Sequence, residues 1–177
     1  LIADAGRLPD KQKRGKIMDA NTSTEEIRAR IAQHRLFKDL EQRYLSLLAD
    51  VAMFKEFAAD EVIFREGDPA NRFYLILDGE VSLESVRDGK PPAVLQTIGR
   101  DDVLGWSWLF PPYYWHFDAR ATAPTKAIFF YGTWLRENCE RDHDFGYEMI
   151  KRMSAIMINR LQATRRKLAE AERRYGA

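Results

Sequence analysis

Apolar positions along this chain change period twice. From residue 23 the spacing is helical. Ser23-Thr24-Glu25-Glu26 sets a hydroxyl three positions ahead of a carboxylate, an arrangement that satisfies the free N–H groups of a helix start. Ile27, Ile31 and Leu36 follow on one face. Leu40 to Val51 predicts a second helix, with Tyr44, Leu45, Leu48 and Val51 together. The period then shortens. Glu61–Glu66, Arg72–Asp78, Glu80–Val86 and Ala93–Ile98 predict strands, and Ala119–Tyr131 predicts β structure interrupted at Pro124. Between them lie Gly67-Asp68-Pro69, Asp78-Gly79, Asp88-Gly89-Lys90-Pro91-Pro92 and Gly99-Arg100-Asp101-Asp102, all turn chemistry. Asp78-Gly79 between two apolar runs predicts a β-hairpin. Short strands with such punctuation describe a small antiparallel barrel or jelly roll.

The helical period returns at Thr133. Asp144 to Arg174 contains no proline and only Gly146 as glycine. Ile150, Met153, Met157, Leu161, Thr164, Leu168 and Ala171 recur along it at spacings of three and four. A stripe sustained over that length must be buried somewhere. The first half is expected to pack on its own barrel. The second half is expected to overrun it and pair with the same helix of another copy. Met153, Met157, Leu161, Thr164 and Leu168 are the candidate dimer residues. The expected fold is mainly β with flanking helices: an antiparallel β-roll, two N-terminal helices and a long C-terminal one. The expected division is a leader or disordered segment over 1–22, helices and roll over 23–143, and the dimerisation helix over 144–177.

Composition narrows the function. With 45% apolar and 31% charged residues, the chain can build a core. Its net charge is +1, against a uniformly basic nucleic-acid binder, yet the charge is uneven. Residues 1–20 carry +2 and residues 151–177 carry +6, which leaves −7 for 21–150. A solvated helix face explains the basic end as well as a partner does. One cysteine, Cys139, excludes an internal disulfide and a cysteine-based metal cluster, and fits a cytoplasmic setting. No apolar run is long enough to span a membrane. There is no nucleophile elbow, no phosphate loop ending in Gly-Lys-Ser/Thr and no His-Glu-x-x-His, so no enzyme is expected.

The run from Phe64 through Gly67-Asp68-Pro69, Arg72-Phe73-Tyr74-Leu75-Ile76 and Gly79-Glu80-Val81 to Leu83 carries a resemblance. Gly-Asp, an aromatic–aliphatic strand and Gly-x-Val resemble the cyclic-nucleotide-binding domain of the catabolite activator and FNR-type superfamily, over roughly residues 35–170. The resemblance implies that Tyr74, Ile76 and Val81 point into the roll, and that Gly67 and Gly79 serve turns where a Cβ is strained. Transcription factors of that superfamily continue into a winged helix-turn-helix. This chain stops at Tyr175-Gly176-Ala177, so a stand-alone form without sequence-specific DNA binding is expected.

The resemblance also implies a phosphate-binding cassette. There a Gly-Glu pair opens a short helix, and an Arg-Ala or Arg-Ser pair follows about ten residues on. Helix N–H groups and the Arg hold the cyclic phosphate, and the Glu accepts from the ribose hydroxyl. The matching stretch here runs from Asp102 to Ala121. Gly105 is kept, Trp106 stands at the Glu position, and Leu109 and Phe110 match the apolar end of the short helix. Trp115-His116 stands at the Arg pair. The candidate pocket residues are therefore Gly105, Trp106, Ser107, Trp115 and His116. Losing a charge-assisted bond to phosphate costs about 1.5–3 kcal/mol, and an indole offers only one N–H donor. Ordinary binding of cyclic AMP or cyclic GMP is not expected. Residues 106–117 hold seven aromatics, which either line a retuned pocket or fill it. Strand alternation turns Arg120 away from Phe117, Ala119 and Ala121.

His34, His116 and His143 are too scattered for a metal spacing. Some relatives hold haem, but His116 and Cys139 read as structural residues, and no cofactor is expected. His143-Asp144 reads as the cap of the long helix. Ser154 and Thr164 stand where relatives present ligand-contacting hydroxyls. The leading expectation is a dimeric regulatory module with a degenerate or retuned pocket that signals to a protein partner through the long helix. The alternatives are a ligand-free interaction subunit with an aromatic-filled pocket, and a true cyclic-nucleotide sensor.

Overall fold

The computed structural model describes residues 23–87 and 90–175. The leader assignment and the Asp88-Gly89 step lie outside these residues. Helix α1 (23–33) already includes Ser23, the residue expected to cap it, and Glu25 pairs with Arg28 one turn on. Helix α2 (Gln42–Ala49) buries Tyr44, Leu45, Leu48 and Ala49, while Val51 lies beyond its end. Eight strands follow: β1 (Met53–Phe57), β2 (Val62–Phe64), β3 (Arg72–Asp78), β4 (Glu80–Arg87), β5 (Lys90–Gly99), β6 (Val103–Leu104), β7 (Asp118–Ala121) and β8 (Thr125–Tyr131). Helices α3 (Gly132–Arg141) and α4 (His143–Tyr175) close the described chain. Among the described residues no helix is long and apolar enough to cross a membrane.

The strands form two antiparallel four-stranded sheets, ordered β1-β8-β3-β6 and β2-β7-β4-β5. The central strands β3 and β8 of the first sheet are covered on both faces. Phe73, Leu75, Ile128 and Phe130 point towards the helices, and Tyr74, Ile76 and Ala127 point into the roll. That explains the unbroken apolar run Phe73–Ile76, because a sheet covered on both sides has no polar face to alternate with. The second sheet alternates. Val81 and Leu83 line the roll with Ala119 and Ala121, while Ser82 and Glu84 face away from it.

The expected Asp78-Gly79 hairpin is not one. β3 pairs with β8 and β6, and β4 pairs with β5 and β7, so the step carries the chain from one sheet to the other. A two-residue hairpin of the Asp-Gly type needs positive φ at both positions. Here only Gly79 has it, at +91°. A Cβ on Gly79 would stand 2.5 Å from the Pro124 carbonyl oxygen, so the corner is closed to any other residue.

The cap of α4 also differs from expectation. Asp142 Oδ1 accepts from the N–H groups of Asp144 at 3.1 Å and Phe145 at 3.0 Å, so the cap is Asp142, one residue earlier than read, and His143-Asp144 lie within the helix. The Phe145 N–H, aided by the Tyr44 hydroxyl and Arg43, holds the Asp142 carboxyl below the usual carboxylate range. α4 buries Phe145, Met149, Met153 and Ile156 against the core. Met153 is thus buried in the core of its own chain, and the expectation that it stands free for a second copy does not hold. At 100° per residue the buried row and the exposed row lie side by side. The outer row has Ile150, Leu161, Thr164 and Leu168 exposed, with Ser154 and Met157 half-buried between them; Ser154 takes the place given to Met153. Beyond Arg160, every residue to Arg174 except the half-buried Ala163 is exposed.

Candidate functional site

The cassette begins where β6 ends. Gly105 has φ +87°, and a Cβ there would meet Trp115 Cη2 at 2.7 Å and the Arg72 carbonyl oxygen at 3.1 Å. Residues 107–112 form turns rather than the short helix that the resemblance implies. Leu109 donates to the Trp106 carbonyl at 3.0 Å and Tyr113 to that of Phe110 at 3.1 Å. The Pro111-Pro112 bond is cis and Tyr113 has φ +61°.

The second limb of the cassette is zipped to the Gly67 turn. The Gly67 N–H donates to the Trp115 carbonyl and the Trp115 N–H to the Asp68 carbonyl, both at 2.9 Å; the Ala70 N–H donates to the Tyr113 carbonyl at 2.7 Å. This fixes the Trp115 backbone from both sides and aims its indole into the roll. There it stacks on Phe64, with centroids 3.9 Å apart and planes 11° from parallel. Trp115 is 2% exposed and belongs to the roll's interior cluster with Tyr74, Ile76 and Val81. The indole occupies the space that Gly105 leaves by lacking a Cβ.

Trp106 lies elsewhere. It is half-buried against the helix-side core, and the Arg160 guanidinium from α4 sits 4.6 Å over its ring. Trp108 is fully buried beside Phe73, and its indole N–H has no hydrogen-bond partner among the described residues. Ser107 is buried, His116 is exposed, and Phe110 and Tyr114 face solvent. The five candidate pocket residues therefore do not line one cavity: Gly105 and Trp115 meet, Trp106 faces α4, and His116 faces out. Arg120 points outwards as alternation requires. Its Nε lies 3.3 Å from Glu84 Oε2 and its Nη1 donates to the Asp60 carbonyl at 3.0 Å, so it does not reach the interior. Thr164 Oγ1 donates to the Arg160 carbonyl at 3.0 Å, within its own helix. Cys139 lies on α3, in the wall of an open groove of about 470 Å³ that also includes Tyr113, Arg136, His143 and Tyr147. Burial pushes its thiol up to about 11. Among the described residues no group of three His, Cys, Asp or Glu side chains is placed to hold a metal ion.

Sequence reading missed three participants. Phe64 gives Trp115 its stacking partner, Arg136 lies 4.2 Å over the Tyr113 ring, and Arg160 covers Trp106. Each contact joins elements distant in sequence, and the motif that begins at Phe64 does not show that this ring meets Trp115.

Comparison with known proteins agrees with this architecture. Among solved structures, a candidate cyclic nucleotide-binding protein from Geobacter metallireducens GS-15 is 28% identical, with a TM-score of 0.67 over 78% of this chain and 98% of that one. A cyclic nucleotide-binding domain from Methylobacillus flagellatus KT is 19% identical, with a TM-score of 0.70 over 86% and 85% of the two chains. The regulatory subunit of a cAMP-independent protein kinase A from Trypanosoma cruzi, bound to guanosine, is 19% identical, with a TM-score of 0.57 over 72% of this chain and 50% of that one. No curated protein matches the chain. The model of the cyclic nucleotide-binding domain matches residues 54–142, from the second residue of β1 to the cap of α4, and so takes in every strand and the whole cassette. With half of its residues under that model and the roll built as described, the chain belongs to the cyclic nucleotide-binding domain family.

Proposed function

We propose that this chain is a non-enzymatic, cytoplasmic regulatory module whose roll is closed to cyclic AMP and cyclic GMP by Trp115, and which acts on a protein partner through the placement of α4. One observation carries the reading: the Trp115 indole, at the position of the family's phosphate-binding arginine, is stacked on Phe64 inside the roll and 2% exposed. A cyclic phosphate entering there would have to displace that stack. It would then meet neither a guanidinium nor a helix start, since Arg120 is committed to Glu84 and Asp60 on the outer side. Dimerisation belongs to the same proposal, through the exposed row of α4.

A retuned pocket is the second reading, and the guanosine-bound likeness supports keeping it, because guanosine carries no phosphate. Calorimetry on the full chain with cyclic AMP, cyclic GMP and guanosine tests both. The closed roll predicts no saturable heat from any of the three at millimolar concentration. Saturable uptake of either cyclic nucleotide overturns the proposal. Uptake of guanosine alone replaces the closed roll with the retuned one.

A further inference from the structure

Arg160 is 9% exposed on α4, four residues beyond Ile156, the last apolar side chain that the helix buries. A guanidinium carries five N–H donors, and a buried one normally meets a carboxylate. Among the described residues Arg160 has none in ion-pair contact. Its Nη2 donates to the Val103 carbonyl, and its guanidinium lies 4.6 Å over the Trp106 ring. Asp102, the nearest source of negative charge, is paired with Arg35 and accepts from the Gly99 N–H at 3.1 Å. Burial pulls the Arg160 pKa down to about 10, with Asp102 partly opposing that, so the group is charged at neutral pH.

The partners of Arg160 lie at the entry to the cassette. Val103 is on β6 and Trp106 lies one residue past Gly105. Trp106 stands where the family has Glu, and an indole gives a cation a π face without adding a negative charge. From Leu161 to Arg174 the helix has no buried residue, so Arg160 is its last anchor on the roll. We propose that Arg160, Trp106 and the Val103 carbonyl form a latch that keeps α4 docked on the cassette with no ligand bound, and that releasing it frees the helix from Ile156 onward. The latch does not depend on the closed roll, because Trp106 and Trp115 sit in separate clusters.

Hydrogen exchange on the full chain, without nucleotide, tests the latch in Arg160→Met, Trp106→Leu and the double variant. Trp106→Leu loses the cation–π contact and should exchange several-fold faster over residues 156–166; Arg160→Met loses that contact and the hydrogen bond to the Val103 carbonyl and should exchange about thirtyfold faster or more. The double variant should exchange no faster than Arg160→Met, which already removes the one contact that Trp106→Leu removes. Residues 72–83 of the roll should keep their protection. Unchanged exchange in Arg160→Met, or additive effects in the double variant, overturns the proposal. If those variants fail to fold, Arg160→Lys compared with Arg160→Gln carries the test. The lysine should retain protection and the glutamine lose it, and equal exchange in the two overturns the latch. Nucleotide uptake by the wild-type chain would defeat the closed roll and leave this result standing.

Discussion

A single methyl group at residue 105 would have to share space with the rim of an indole. The φ of +87° and the 2.7 Å approach of Trp115 Cη2 act together at this position. Gly105→Ala is therefore expected to destabilise the fold by at least about 1 kcal/mol from the backbone alone, with the clash added. Urea unfolding checks this, and a midpoint equal to wild type would show that the indole is not seated where described. Trp115→Ala removes the filling itself and should cost about 3–5 kcal/mol, as for other buried aromatic truncations. At this scale the sequence was informative about identity and silent about placement. The resemblance assigns Gly105, Trp106 and Trp115 to cassette positions. That one indole turns into the roll and the other towards α4 was not legible, because the partners that settle it, Phe64 and Arg160, lie about fifty residues away on either side.

Elements meet at a second buried polar site. His34, just past the end of α1, is 3% exposed, and its Nδ1 accepts the Leu36 N–H at 3.1 Å while its Nε2 meets no hydrogen-bond geometry among the described residues. It faces Asp101 and Asp102 of the β5–β6 turn, with Arg35 beside it. Burial pulls its pKa below the ordinary histidine value of 6.5; Asp101 and Asp102 oppose that and Arg35 adds to it. A histidine depressed in the folded state takes up its proton more readily when unfolded. Its contribution to stability is complete above pH 6.5 and falls away as the pH drops through the lower folded value. Protonation also removes the acceptor that Leu36 uses. Stability should thus fall from pH 7 to pH 5, and His34→Asn, whose amide oxygen can take the Leu36 N–H, should flatten that slope. Denaturation midpoints across this range decide it; equal slopes in the two proteins would exclude His34 as the cause. Periodicity located most elements here, including β3, β4 and α4. It missed β1, where only Phe57 of five residues is buried, and two-residue β6, since neither shows a pattern to read. It also misread Asp78-Gly79, because local turn chemistry does not say which sheet the next strand will join.

On the scale of the whole molecule, α4 carries the unresolved burial. One row of its side chains, Phe145, Met149, Met153 and Ile156, is spent on the core of the same chain. The neighbouring row leaves Ile150 46%, Leu161 51% and Leu168 61% exposed. With Ser154, Met157 and Thr164 between them, the spacings alternate four and three, the repeat of two helices wound on each other rather than of a helix lying on a sheet. Sequence alone merged the rows, because Met153 falls near both and burial is not visible in a periodicity. The row continues past Arg160, where α4 no longer packs on the roll, and the proposed dimer would cover it with a second α4. Sedimentation velocity should give a dimer for the wild-type chain at micromolar concentration, with a thermal midpoint that rises with concentration. Leu161→Glu/Leu168→Glu should sediment as a folded monomer, because neither side chain supports the core and paired like charges oppose the contact. A wild-type monomer under these conditions, or a dimer that survives both glutamates, would place the exposed row outside any interface between copies of this chain.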